Sequence, residues 1–240
     1  MLSARTILIA SFCLSSASAF AVGRGDIAFT SFNADEDGWS IVALAELPSH
    51  STLYFTDSNW DGNAFATNEG FYAWDTGVDV ILAGRVIRFS QIDRSNRSVS
   101  IGTLNMVRNA ALSGTSETLY AYLGEAADRP TIFIAAVTTE APAPAAAALT
   151  SAGLTAGVDA VSLPESTDYS AYNGARSGRS DFSTYGTLIN DPANWAGFTD
   201  GSHADAQPGL AAFSVSAVPE TSMGWMMVAG LALLAARLRR

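Results

Sequence analysis

The chain has 240 residues, a formal net charge of −10 and no lysine, its 13 arginines being outnumbered by 23 acidic residues. Setting aside the four arginines and one glutamate of the two terminal segments leaves the body at about −13, which argues against a grip on a phosphate backbone and so against nucleic acid as a partner. The single cysteine, Cys13, lies in the leader, so no disulfide, thiolate metal site or cysteine nucleophile is available to the body, and residues 22–217 must be held by their own core.

Residues 1–21 read as a signal peptide: Arg5 supplies the basic start, Thr6 to Leu14 the apolar stretch, and Ala17-Ser18-Ala19 or Ala19-Phe20-Ala21 a small-x-small cleavage site. Export follows. From Asp26 onward the pattern is that of short strands. Ile27, Phe29 and Ser31 alternate with Ala28, Thr30 and Phe32, the polar run Asn33 to Gly38 turns the chain, and Trp39 to Ala45 returns it. Leu53 to Phe55, Phe71 to Trp74, Val80 to Leu82, Arg85 to Phe89, Ser98 to Ile101, Thr118 to Leu123 and Thr131 to Val137 continue in the same aromatic and β-branched style, punctuated by glycines. Thr138 to Thr150 holds Ala-Pro-Ala-Pro and then alanines, predicting a short helix after Pro144 within a long crossover. A strand is expected at Ala160 to Leu163 and a helix over Asp181 to Ile189, capped by Ser180 or Asp181 and stopped by Asp191-Pro192. Trp195 then returns to the core, and Ala211 to Val215 is the expected closing strand. Short strands without a βαβ rhythm predict an all-β fold, an antiparallel β-sandwich with one or two short helices in its C-terminal half.

The most chemical-looking stretch is Asp57-Ser-Asn-Trp-Asp-Gly-Asn63. Oxygen side chains of Asp57, Asn59, Asp61 and Asn63, with Gly62 at the bend, match the first half of a calcium loop, and a hard cation needs such convergent oxygens. The same residues are those of an ordinary turn between strands, and Asn68 stands at the twelfth position, where a bidentate acid would be needed. No cofactor is expected unless it is this calcium ion. The acidic run Asp35-Glu36-Asp37 would join the loop at the same end of a sandwich, or is a solvated turn. Trp60, Phe65, Phe71, Tyr72 and Trp74 either stack on sugar faces or fill the core. Arg24-Gly25-Asp26 matches an adhesion tripeptide that chance also supplies. Only His50, a turn residue, and His203 are present, and neither a nucleophile elbow nor a metal-binding histidine pair occurs. Aspartates are plentiful enough for a hydrolytic carboxylate pair, but the pattern singles out no two of them.

The C-terminal stretch has three consecutive parts: Val218-Pro219-Glu220, an apolar run from Met223 to Ala236, and the basic end Arg237, Arg239 and Arg240. Arginine resists crossing a bilayer, so the end stays on the cytoplasmic side and the body faces outward. The run is shorter than the roughly 20 residues that span the hydrocarbon core. This tail resembles the PEP-CTERM sorting signal of Gram-negative bacteria, with Thr221 where a second proline is usual. The resemblance implies a single hydrophobic C-terminal helix held transiently in the inner membrane and an exosortase-type processing enzyme as partner. It further implies a body delivered to the cell surface or extracellular matrix, in association with exopolysaccharide. An ordinary C-terminal anchor is the alternative. The fragment Ile81 to Phe89 resembles the lamin-tail type of immunoglobulin-like sandwich. Together these give a non-enzymatic exported protein of structural or interaction type, with a calcium-stabilised carbohydrate-binding module as the second reading and a secreted hydrolase as the third.

Overall fold

Apolar and β-branched alternation carries most of the body into strands. The computed structural model describes residues 21–108 and 111–216. The expected signal peptide up to residue 20 and the expected sorting tail with its hydrophobic helix, Val218 to Arg240, lie outside them. Among the described residues twelve strands form two six-stranded sheets. The first contains, in spatial order, β12 (Trp195–Phe198), β11 (Tyr169–Tyr172), β1 (Ile27–Asn33), β2 (Gly38–Ala43), β5 (Val86–Ser90) and β6 (Ser98–Val99). The second contains β10 (Ala160–Ser162), β9 (Arg129–Thr138), β8 (Thr118–Ala126), β3 (Thr52–Thr56), β4 (Phe71–Asp75) and β7 (Thr103–Arg108).

The two sheets face one another across an aromatic interior, giving a sandwich-like all-β fold. Register decides which rings meet. Trp39 pairs with Phe89 across β2 and β5, and Phe55 with Tyr72 across β3 and β4, so each pair rises from a single face of its sheet. Those faces oppose each other: the Trp39 ring lies 5.2 Å from Phe55 and 5.9 Å from Tyr72, and Phe89 lies 4.9 Å from Phe55 and 5.4 Å from Trp74. Such pairs contribute about 0.5–1.5 kcal/mol each beyond the area they bury. Around them pack Phe29, Ile41, Ile87, Leu119 and Val137.

Each sheet is also covered on its outer face, and this accounts for central strands that are buried on both sides. Over the second sheet lies α1 (Pro142–Ser151), whose Leu149 packs with Phe65, Tyr120, Tyr122 and Phe133. Over the first, Tyr185, Ile189 and Phe213 pack on Ala28, Val42 and Val86. The helix α1 starts at Pro142, three residues before the expected start, because a proline in the first turn gives up only a free N–H. It joins β9 to β10, which pair in parallel while the other named strand pairs are antiparallel. One βαβ-like crossover is therefore present where none was expected.

Other boundaries also shift. The Asp181 to Ile189 helix is a 3-10 turn, Ser183–Tyr185, followed by α2 (Gly186–Ile189), with Asp181 accepting a hydrogen bond from the Ser183 N–H at 2.8 Å. Val80 to Leu82 makes a single bridge, Leu47 with Ile81, and the expected closing strand reduces to a bridge between Val215 and Arg179. Ser98 to Ile101 splits: the chain leaves β6 and enters β7 of the other sheet at Gly102. There φ is +79°, and a Cβ would stand 2.1 Å from the Asp75 carbonyl oxygen. β7, β11 and β12 were not expected as strands, their alternation being too short or too polar to read.

The Trp39 indole N–H is buried without a partner among the described residues, so this ring serves the fold by shape alone. Trp39→Ala is expected to lower stability by about 3–5 kcal/mol. Trp39→Phe keeps the stack and removes the unpaired donor, and should lose far less. Urea unfolding at constant m-value reads both.

Candidate functional site

The calcium-like stretch is split between interior and surface. Asp57 follows β3 and keeps the inward parity of Phe55. It is 3% exposed, and its Oδ1 accepts from the Gly70 N–H at 2.9 Å while its Oδ2 is buried with no partner among the described residues. Asn59, Asp61 and Asn63 are exposed. Asp61 Oδ1 accepts from the backbone N–H groups of Asn63 and Ala64 at 2.8 and 2.7 Å, an Asx turn around Gly62, and these donors hold its carboxyl below the usual range. The four residues named by spacing thus do not act as one set: Asp61 builds a turn, and Asp57 faces away from it into the protein. Among the described residues no three or more His, Cys, Asp or Glu side chains are grouped to hold a metal.

What Asp57 does face is a second buried acid. Because Thr56 pairs with Tyr120, Glu117 at the mouth of β8 is a same-face neighbour of Asp57, on the parity of Leu119 and Ala121. Glu117 is 8% exposed, and its Oε2 accepts from the Ser113 N–H at 2.9 Å. From the opposite sheet the β1–β2 turn adds Asp37, whose Oδ1 accepts from the Leu112 N–H at 2.6 Å and whose carbonyl oxygen accepts from the Ile92 N–H at 2.9 Å. The run Asp35 to Asp37 is therefore not a solvated turn: Glu36 and Asp37 are buried, and Glu36 pairs with Arg88 at 2.5 Å.

Burial governs the protonation of these acids. Loss of hydration pushes the Glu117 carboxyl up to about 8, with the Asp57 charge adding to the effect. The same cause pushes Asp57 up to about 7, opposed by backbone N–H groups and reinforced by Glu69 and Asp37. Asp37 is raised to about 6, mainly by burial, with the Leu112 N–H opposing and Asp93 adding. Three carboxyls that hold protons into the neutral range thus plug one end of the space between the sheets. The clefts of about 600, 380 and 260 Å³ on the surface are lined by none of them.

The other singled-out residues have structural settings. Phe65, Phe71, Tyr72 and Trp74 are buried, and Trp60 packs on Phe65 and Phe133 at 4.8 and 5.3 Å while its indole N–H donates to the Ser151 carbonyl at 3.1 Å. Four of the five rings are therefore core, and Trp60 is half-buried against them. His50 sits in a turn at φ 55°, as expected. His203 donates its backbone N–H to Asp35 Oδ2 at 2.7 Å. Asp26 of the adhesion-like tripeptide accepts from the Gly23 N–H at 2.6 Å, and Arg24 lies 3.7 Å from Asp159. Sequence reasoning missed Glu117; its position on the Leu119 and Ala121 face was the readable signal. Comparison with protein-family models, with curated proteins and with solved structures finds no match.

An acid whose folded pKa is raised binds its proton more tightly folded than unfolded, so it favours the fold below the unfolded pKa and loses that advantage as pH climbs through the folded value. The melting temperature should accordingly fall between about pH 5 and pH 8, the window set by Asp37, Asp57 and Glu117. Glu117→Gln should raise the melting temperature at pH 8 and flatten the profile. An unchanged slope in that variant would contradict the assignment.

Proposed function

We propose that this is an exported protein of structural or interaction type, sorted by its tail to the cell surface or extracellular matrix in association with exopolysaccharide, and not an enzyme. The observation that carries the reading is the order of three signals: Val218-Pro219-Glu220, an apolar run from Met223 to Ala236, and Arg237, Arg239 and Arg240 at the end. The leader at the other terminus agrees with it in orientation. An exosortase-type enzyme would cut near Glu220 after the inner membrane has held the tail transiently. The all-β body, read as an immunoglobulin-like or lamin-tail-like sandwich, supports the same role: an acidic, cysteine-free domain whose aromatic core needs no redox chemistry to form outside the cell. Intact-mass measurement of the surface and medium fractions should find the chain truncated near Glu220. Full-length protein retained in the inner membrane would instead favour the ordinary anchor.

A second reading, calcium stabilisation, is favoured by one observation: the unpartnered, buried Oδ2 of Asp57 beside Glu117. The linear set does not suit the ion, since Asp61 is engaged with backbone N–H groups. A cation between Asp57 and Glu117 would replace their protons, so calcium should raise the melting temperature at pH 8 and much less at pH 5, with chelator reversing the shift. Asp61→Ala should leave that shift in place and Asp57→Asn should remove it.

A further inference from the structure

The edge ribbon β11–β12 carries a site of another kind. Tyr169 pairs with Phe198 and Ala171 with Ala196, so these four side chains rise from one face of the ribbon. Ala171 in turn pairs with Ser31, which has the parity opposite to inward-facing Phe32, so this face is turned away from the partner sheet. Beside it the chain from Gly209 onward passes over Arg176, leaving a cleft of about 380 Å³ whose lining includes Tyr169, Ala171, Asn173, Arg176, Phe198 and Gly209. That volume is within the range of small-ligand sites, roughly 300–1,000 Å³.

The lining has an exposed ring and unused polar groups together. Phe198 is 56% exposed, an unusual state for a phenylalanine in a strand, and its plane is fixed by near-parallel contacts with His203 at 4.5 Å and Tyr169 at 6.5 Å. The exposed Asn173 amide and the Tyr169 hydroxyl make no hydrogen bond among the described residues. Arg176 is positioned by donating to the Ala211 carbonyl oxygen at 2.9 Å and by lying 4.9 Å over the Phe213 ring, and it keeps further N–H groups for the cleft. A held aromatic face with donors and acceptors at its edge matches a pyranose ring, which offers C–H groups on one face and hydroxyls around its rim.

We infer that this cleft binds neutral hexose polymers, with Phe198 as the stacking platform and Asn173, Tyr169 and Arg176 as hydroxyl partners. Neutrality follows from the surroundings. Asp168, whose carboxyl is raised by burial and by the charges of Asp35 and Asp200, stands beside the platform with them, and the body is strongly acidic. These three carboxyls, set against the one Arg176 guanidinium of the cleft, disfavour a carboxylated or sulfated chain. The inference deepens the matrix-interaction reading by giving its partner class, but export is read by mass and saccharide binding by retention, so either can fail alone.

The test is affinity electrophoresis of the full-length chain in native gels cast with hydroxyethyl cellulose, with galactomannan or with alginate. Retardation is expected in at least one neutral gel and not in alginate. Phe198→Ala should weaken that retention by about tenfold or more while its melting temperature stays within about 2 °C, since the ring is largely exposed. Asn173→Ala should weaken it less, and Val78→Ser, in the separate cleft of the 76–82 loop, should retain it. Free migration in both neutral gels, a preference for alginate, or retention unchanged in both Phe198→Ala and Asn173→Ala would overturn the inference.

Discussion

Everything in this fold depends on the aromatic contact between its two sheets. With no cysteine in the body, nothing covalent restrains the chain, and the stability must come from apolar burial. Trp39 and Phe89 from one sheet close on Phe55, Tyr72 and Trp74 from the other. Because the rings are paired by strand register, a slip of one residue in β2 or β3 would turn the whole cluster toward the opposite face. The outer coverings, α1 on one side and the Tyr185 to Phe213 segment on the other, then bury apolar residues that the inter-sheet space cannot hold.

The same packing creates the buried acids. At one end, where Phe55 and Leu119 stop, the strands continue with inward Asp57 and Glu117, and the β1–β2 turn closes over them with Asp37. Each carboxyl is used to hold a backbone N–H of a loop: Gly70, Ser113 and Leu112 respectively. That gives three irregular segments fixed anchors. The cost is loss of hydration, which these groups reduce by keeping their protons. Loop anchoring and proton retention are thus two consequences of one placement.

How much could be read beforehand follows from the range of the forces involved. Strands β1, β2, β3, β4, β5, β8 and β9 were legible because alternation is a local signal that needs no knowledge of the partner. β11 and β12 were not, since Tyr169 to Tyr172 and Trp195 to Phe198 become strands only by pairing along β1 and with each other. The Asp57 to Asn63 stretch shows the same limit at the site. Its spacing correctly marks a tight bend at Gly62, where φ is +95°, but the direction of each carboxylate is set by what lies across the sheet. The sequence left Trp60 and Phe65 open between sugar platform and core, and the packing of α1 decides it, burying Phe65 and half-burying Trp60, whereas Phe198, in a segment without apparent pattern, is an exposed ring.

By itself the sequence determined the acidic and cysteine-free character of the body, the order of residue types in the C-terminal stretch, and the all-β class. These are written in composition, order and nearest-neighbour periodicity, and they hold whatever the chain packs against. Only the tertiary structure decided which rings are core and which are exposed, that Asp57 belongs with Glu117 and not with Asp61, and that Tyr169, Asn173 and Phe198 line one cleft. Those facts are contacts between residues distant along the chain, and distance along the chain carries no information about them until the sheets have chosen their register.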